Sequence, residues 1–423
     1  MTIGLMLTFF DFRNDVRALI KSICINHKVV VFVRKEHEQL IQKFMLPGME
    51  CRIIEEHLST KKNIFFSRLF LLFKRLPKSV KNYYLMEAYK AVGLKDVHQK
   101  KKAARLLKYQ QIVPHFIAYD FYLNTIDYKG KTDLRGIDKM IAFTEIYDDY
   151  LLARLLKEQV PTQVYVYSWD HACKHVKFSK RVQYLVWNHD IASDVVELQG
   201  VPAEQITIFG ATQLGYIEQY LCRKSINANQ PPYFYFGCGI GIPELVEQEV
   251  AIIAQLSDCI AEVHPNYQLY VRPYPNFSDW TLYDSLLRKS NVVLDNSYKQ
   301  SDLSIKDEDI IAKFITINNA VAFFHLGTTL GLETCFTNAP SFILDLTPET
   351  QAPISLFNFV HQYQNEKYLI TNNPLNVITS ASQLVSTLKD IQSEKYLDFN
   401  KKTAARFTVQ SFEELANALT MKA

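Results

Sequence analysis

Twelve short apolar runs punctuate this chain, and helix-like segments fill most of the gaps between them. The first seven are IGLMLTFF, KVVVFV, CRII, KMIAFT, QVYVYS, VQYLVW and QITIFG; then come YFYFGC, QLYVRP, NVVLD, AVAFFH and SFILDL. Most are continuously apolar instead of alternating. A strand covered on one face alternates polar with apolar residues, whereas one covered on both faces has no such need. The runs therefore predict strands of a parallel sheet buried under helices. DDYLLARLLKEQV, ELVEQEVAIIAQLSDCIAEV and DEDIIAKFITINN supply helical periodicity between them. Strand, helix, strand repetition predicts a doubly wound α/β architecture.

At 423 residues the chain is too long for one ordinary core and suits two domains. The polar stretch RKSINANQPPY, Arg223 to Tyr233, ends in Pro-Pro and reads as the linker between two Rossmann-like halves. The expected layout is a first domain over 1–224 with a basic insertion at 61–108, and a second over 233–405. A last amphipathic segment at 406–423, containing SFEELANALTMKA, is expected to pack back toward the first domain.

Composition excludes several classes. Hydrophobic residues make up 48% and charged residues 22%, a globular balance. The formal charge of +3 is too small to point to nucleic acid. Seven cysteines occur without a CxxC pair or zinc-like spacing, as expected of free thiols in a reducing compartment. The start, MTIGLMLTFFDFRND, lacks a basic n-region and a small-residue cleavage site. No apolar run approaches the ~20 residues of a membrane span. A cytoplasmic protein is the expectation. Lys61 to Lys108 breaks the rhythm: it is crowded with Lys and Arg, almost lacks acid, and interleaves aromatics and leucines, as in IFFSRLFLLFKRL. It reads either as a surface for anionic membrane or a lipid-linked acceptor, or as a solvated basic helix pair with one apolar face on the core.

In an open α/β sheet, ligands gather beyond the carboxyl ends of the strands. In the first half those ends carry Asp11 and Arg13, then Asp170, His171 and Lys174 in SWDHACKH, then His189 and Asp190 in WNHD. Any one of these could be an ordinary helix cap; together they suit a hydroxyl-handling cleft. In the second half, YFYFGCGIGIPE places Gly237, Gly239 and Gly241 after a strand, where glycine lets backbone N–H groups approach a phosphate. YVRPYPNF supplies Arg272 and Tyr274 beside Pro273 and Pro275, and Arg suits bidentate phosphate contact. FFHLGTTLGLETCF then gives a turn at Gly327, a cap at Thr328 or Thr329, and Glu333 about one helical turn on. A helix start attracts phosphate, and the carboxylate could take both hydroxyls of a ribose. The bland alternative is a capped helix with an incidental acid near its start.

The chain resembles GT-B glycosyltransferases of bacterial surface-polysaccharide (capsule, O-antigen, lipopolysaccharide) assembly. The similar stretch is VYSWDHACKH through YLVWNHDIASDVVELQGVPAEQITIFGATQLGYI, which looks like a pattern in surface-carbohydrate and CDP-glycerol-type transferases. RPYPN with HLGTTLGLET is similar to their second-domain pair. The resemblance implies the GT-B fold, an α/β class of two Rossmann-like doubly wound domains with parallel sheets facing an interdomain cleft. It implies a nucleotide-sugar donor on the second domain, with Thr328 and Thr329 holding phosphate, Glu333 holding ribose, and Arg272 and Tyr274 flanking the phosphates; Gly239 and Gly327 complete that donor set. Tyr274 stands where several relatives have His, and His171 where the Ser-Trp-Asp motif is often followed by Asn, which leaves the nucleotide and the acceptor open. The expected reaction moves a sugar to a hydroxyl of a surface glycan or lipid-linked acceptor. Asp11, Asp170, His189 and Asp190 are the candidate catalytic groups, unranked, and Arg13, His171 and Lys174 the candidate acceptor contacts. No DxD motif ends a strand convincingly and IYDDY begins a helix, so no cofactor and no essential metal is expected. The expected partners are the donor, the acceptor and possible peripheral contact with the inner membrane, and no nucleic acid. The alternatives are a polyol-phosphate transferase using a CDP-activated donor, a nucleotide-sugar epimerase of the same architecture, and a non-catalytic glycan-assembly subunit.

Overall fold

A computed structural model describes residues 1–7, 14–58, 61–126, 128–129, 131–144, 148–223, 231–274, 279–298, 306–361 and 374–420. These fall into two compact units: Met1–Glu87, Lys95–Gly215 and Thr408–Ala423 in the first, Ala88–Leu94 and Tyr216–Phe407 in the second.

The first unit holds β1 (Thr2–Met6), β2 (Lys28–Val33), β3 (Met49–Ile53), β4 (His57–Leu58), β5 (Tyr128–Lys129), β6 (Lys139–Phe143), β7 (Thr162–Tyr165), β8 (Gln183–Val186) and β9 (Ile206–Ile208). Seven of them form a parallel sheet in the order β3-β2-β1-β6-β7-β8-β9, while β4 and β5 make a small antiparallel pair. The apolar runs explain this directly: in β2 every residue after Lys28 is buried. The helices are α1 (Asn14–Ile23), α2 (Glu38–Gln42), α3 (Lys61–Phe73), α4 (Val80–Val92), whose residues from Ala88 onward belong to the second unit, α5 (Val97–Gln110), α6 (Tyr119–Thr125), α7 (Asp149–Lys157), α8 (His171–Lys174) and α9 (His189–Asp194). Asp148 begins α7 as its cap, accepting from the amides of Tyr150 and Leu151. The helix Phe412–Thr420 packs on α1, and Phe412 lies against Gly215, where a Cβ would meet its ring at 2.7 Å.

The second unit contains α10 (Gly215–Arg223), apart from its first residue, together with β10 (Tyr233–Gly237), α11 (Pro243–Val263), β11 (Gln268–Arg272), β12 (Val292–Leu294), α12 (Asp307–Asn318), β13 (Phe323–His325), α13 (Thr329–Thr334), β14 (Ser341–Leu344) and β15 (Val377–Ile378). Its sheet is parallel throughout, in the order β12-β11-β10-β13-β14-β15. In both sheets the first strand of the unit is central and the chain winds outward to either side, which is the Rossmann order. All twelve sequence-read strands appear in these two sheets; of IGLMLTFF, residues 8–10 lie outside the described residues. β15 and the β4–β5 pair were not foreseen, because two-residue strands leave no apolar run to read.

The sheet winding creates one switch point per unit, where chains leave adjacent strands in opposite directions. In the second unit it lies between β10 and β13, paired with Gly237 opposite His325. Tyr233, Tyr235, Ile317, Phe323 and Leu330 pack into one buried cluster beneath it, joining β10, α12, β13 and α13.

Candidate functional site

Three loops meet beyond the ends of β10, β11 and β13. Gly237 closes β10 with no room for a side chain, since a Cβ would meet the Phe323 ring at 2.7 Å and Leu330 at 2.9 Å. Two residues on, a Cβ at Gly239 would collide with Thr328 Cγ2, so this loop and the α13 turn are in van der Waals contact. At Gly241 a Cβ would touch the Tyr274 ring at 3.3 Å and the Tyr89 hydroxyl at 3.4 Å. The Tyr89 hydroxyl is the hydrogen-bond acceptor of the Gly241 amide at 3.2 Å. Thus Gly239, Gly241, Tyr274 and Thr328, remote in sequence, share one end of the second sheet.

The turn after β13 is built around His325. Gly327 takes φ +84°, the left-handed region that glycine enters freely. Its amide donates to His325 Nδ1 at 2.9 Å, and the Thr328 amide points at the same nitrogen at 3.3 Å. Burial holds the imidazole neutral, with its pKa pushed down to about 3. An acceptor Nδ1 places the proton of that neutral ring on Nε2. Thr328 caps α13, its hydroxyl accepting from the Gly331 amide at 3.3 Å. Three amides of the turn are therefore engaged within the protein. The amides of Thr329 and Leu330 are the first two of the helix, and such groups have no partner inside the helix itself.

Charge surrounds the turn. Glu333 pairs with Lys313 of α12 at 2.7 Å. Burial lowers the Lys313 pKa, Glu333 opposes that shift, and the positive field of Arg272 adds to it. Lys313, Glu333 and Arg272 thus form one half-buried charged group, with Glu333 one turn into α13. Glu249, fully buried on α11, supports the glycine loop: its carboxylate accepts from the Gly239 amide at 3.2 Å and from the Tyr283 hydroxyl at 2.9 Å. Burial raises its pKa to about 7, against the lowering effect of those hydrogen bonds.

Three of these residues escaped the sequence reading, and two had left a trace. Glu249 falls on the apolar stripe Leu245, Val246, Ile252, Ile253, Leu256 of α11, where a carboxylate must find buried partners. Lys313 is the one basic residue of α12. His325 ends a run of core residues and gave no separate signal.

In the first unit, Asp170 follows β7 and is held on both sides. Lys174 donates to one oxygen at 2.6 Å and Ser168 to the other at 2.7 Å. Burial alone would raise its pKa, but the Lys174 ammonium, with Ser168 and His175, outweighs it and holds the carboxyl below its usual range. Such a group is a weak proton acceptor near neutral pH. His171 is only 1% exposed, bonded through Nδ1 to Thr144 and packed edge-on to His175 at 4.5 Å; its place is inside the unit and not on an acceptor-facing surface. Lys174 is committed to Asp170. His189 opens α9 with an exposed ring, beside Asp190, which accepts from Asn188 Nδ2 at 3.3 Å. Asp11 and Arg13 lie outside the described residues. A carboxylate that the sequence reading passed over, Asp15 at the start of α1, is buried and takes hydrogen bonds from Tyr167 at 3.0 Å and from Thr212.

No protein-family model matches the sequence, and no curated protein matches it. Solved structures do. A putative UDP-N-acetylglucosamine 2-epimerase from Listeria monocytogenes is similar with a TM-score of 0.52 at 9% identity, over 98% of this chain and 94% of that one. The UDP-GlcNAc 2-epimerase of Methanocaldococcus jannaschii gives 0.50 at 11%, over 99% of both chains. S. aureus MnaA, solved with UDP, gives 0.50 at 10%, over 98% and 94%. At such identities the likeness establishes the fold: two Rossmann-like units of the GT-B class.

Proposed function

We propose that the chain acts on a nucleotide sugar, with the nucleotide bound beyond β10 and β13, and that it transfers the glycosyl group to a hydroxyl of a glycan or lipid-linked acceptor. The observation that carries this reading is the convergence of Gly239, Gly241, Tyr274 and the Thr328-capped turn at the switch point of the second sheet. A helix start and the Arg272 guanidinium suit a diphosphate, while Lys313 holds Glu333 in place. The amides of Thr329 and Leu330 would receive phosphate oxygens, and the free edge of Glu333 beyond Lys313 would take ribose hydroxyls. In the transfer, the acceptor oxygen bonds to the anomeric carbon as the carbon–oxygen bond to the diphosphate breaks, and the nucleoside diphosphate leaves with the electron pair. The acceptor proton passes to a base. The described candidates for it are His189, Asp190 and Asp170, of which Asp170 is locked by Lys174. Stabilising the departing diphosphate is the larger catalytic contribution of such a site.

The likeness to UDP-N-acetylglucosamine 2-epimerases supports a second reading, epimerisation of the donor sugar in the same nucleotide site. A thermal-shift panel of UDP, GDP, CMP, CDP and dTDP species tests the part shared by both. A ligand at a hundred times its dissociation constant stabilises by about 2.7 kcal/mol. A shift lost in Arg272→Ala and Lys313→Ala supports the site; no shift with any nucleotide sinks it. Product analysis then separates the readings. An epimerase converts its nucleotide sugar with no acceptor present, whereas a transferase consumes it only when acceptor is added.

A further inference from the structure

Helices α3 and α6 of the first unit leave an apolar groove of about 420 Å³ between them. Phe66, Leu69 and Phe73 form one wall, and Phe116, Phe121 and Tyr122 the other. Its floor is fixed by Phe70, stacked on Tyr122 with ring centres 4.3 Å apart. The rim is open to solvent: Phe116 is 68% and Phe121 56% exposed. The same stretch of chain is rich in exposed apolar side chains. Among the described residues, ten of the seventeen exposed large hydrophobics lie between Ile64 and Phe121. A concentration of this kind marks an interaction surface.

Charge identifies the occupant. Residues 61–110 contain eleven lysines and three arginines against only Glu87 and Asp96. Arg68 on α3 and Lys101, Lys102, Arg105 and Lys108 on α5 are exposed. The α5 helix sits beside α3, tied by Gln110 Nε2 donating to the Leu71 carbonyl at 2.5 Å, and exposes Leu106 and Tyr109 among its cations. A folded protein partner would need an acidic face to match the cations and a protruding apolar side chain to fill the groove. An anionic bilayer meets both demands, with phosphates for the cations and flexible hydrocarbon for the groove.

We propose that this face docks on an anionic phospholipid bilayer, with one acyl chain seated between α3 and α6 and the cations of α3 and α5 on the headgroups. Docking needs no nucleotide, so this proposal and the nucleotide-site reading can fail separately.

The test is flotation of the full chain with vesicles, either pure phosphatidylcholine or with about one-third phosphatidylglycerol added. The chain is expected to float with the anionic vesicles about tenfold more than with the neutral ones, and less as salt rises. Phe116→Ser with Phe121→Ser removes side chains that are already exposed, so folding is spared, and should lower binding about tenfold. Lys101→Gln with Lys102→Gln and Arg105→Gln should lower binding and flatten its salt dependence. In a Phe121→Trp variant, lipids brominated along the acyl chain should quench the added tryptophan emission. Absence of vesicle binding overturns the proposal. So does binding that ignores the Phe116 and Phe121 substitutions, since that is adsorption by charge alone. Light scattering that shows a dimer lost on the same substitutions would assign the groove to a second copy of the chain and overturn it as well.

Discussion

At the residue scale, the site depends on an absent methyl group. Gly239 lets the β10 loop lie against Thr328, and any side chain there strikes Cγ2 of the threonine. Gly239→Ala is expected to cost about 1–3 kcal/mol in a denaturant melt, the usual range for overpacking. Thr328→Ser keeps the capping oxygen but removes Cγ2, so the double variant should recover most of that loss. If the double variant melts no better than the single one, the two loops do not rest on each other. Glu249 makes the second residue-scale case. Its folded pKa of about 7 lies above the ordinary 4.5 for a glutamate, so the folded state holds the proton more tightly. Its contribution is complete below about pH 4.5 and falls as pH rises through 7, by about 3 kcal/mol in all. Glu249→Gln should remove that slope between pH 5 and 8 while keeping an acceptor for the Gly239 amide. An unchanged slope in this variant would show that Glu249 ionises normally.

At the element scale, buried charge fastens helices to the segments beside them. Arg154 of α7 and Glu56 are 4% and 0% exposed and pair at 2.5 Å, with the Thr132 amide also donating to the carboxylate at 3.0 Å. Breaking such a pair strands a charge. Arg154→Met alone is expected to cost about 3–5 kcal/mol, whereas Arg154→Met with Glu56→Met should cost far less. Equal losses in the two variants would mean that packing, and not the stranded carboxylate, sets the cost. The Lys313–Glu333 pair joins α12 to α13 in the same manner, but at the candidate nucleotide site. Glu333→Gln should therefore weaken nucleotide binding more than it lowers the melting temperature of the free protein, as a thermal-shift titration would reveal. The reverse order would make the pair a structural tie only.

At the scale of the whole molecule, the chain returns to its first unit at the end. Phe412, Leu415 and Leu419 are buried in the helix Phe412–Thr420, and Lys139 donates to the Leu419 carbonyl at 2.8 Å. A chain ending at Phe407 leaves the α1 face and Gly215 uncovered. Each large apolar side chain lost from a core costs about 2–5 kcal/mol, which is a large share of a unit's total stability. Limited proteolysis of that truncated chain should cut the first unit well before the second. Simultaneous digestion of both units would contradict this.

The strands were legible because burial on both faces demands continuous apolar runs, and twelve such runs stand in the sequence. The Gly327 turn and a cap at Thr328 or Thr329 were legible too, because left-handed backbone and helix starts restrict residue choice locally. Glu249 stands on an apolar stripe of α11 that went unread, and its partners leave no trace along the chain. Only the tertiary structure brought Gly239 against Thr328, set Lys313 on Glu333, turned His325 into the acceptor for the turn's amides, and locked Asp170 between Lys174 and Ser168. It alone opened the groove between α3 and α6. Local patterns follow from neighbours along the chain, but which charges meet and which surfaces stay uncovered depends on contacts between residues far apart in sequence.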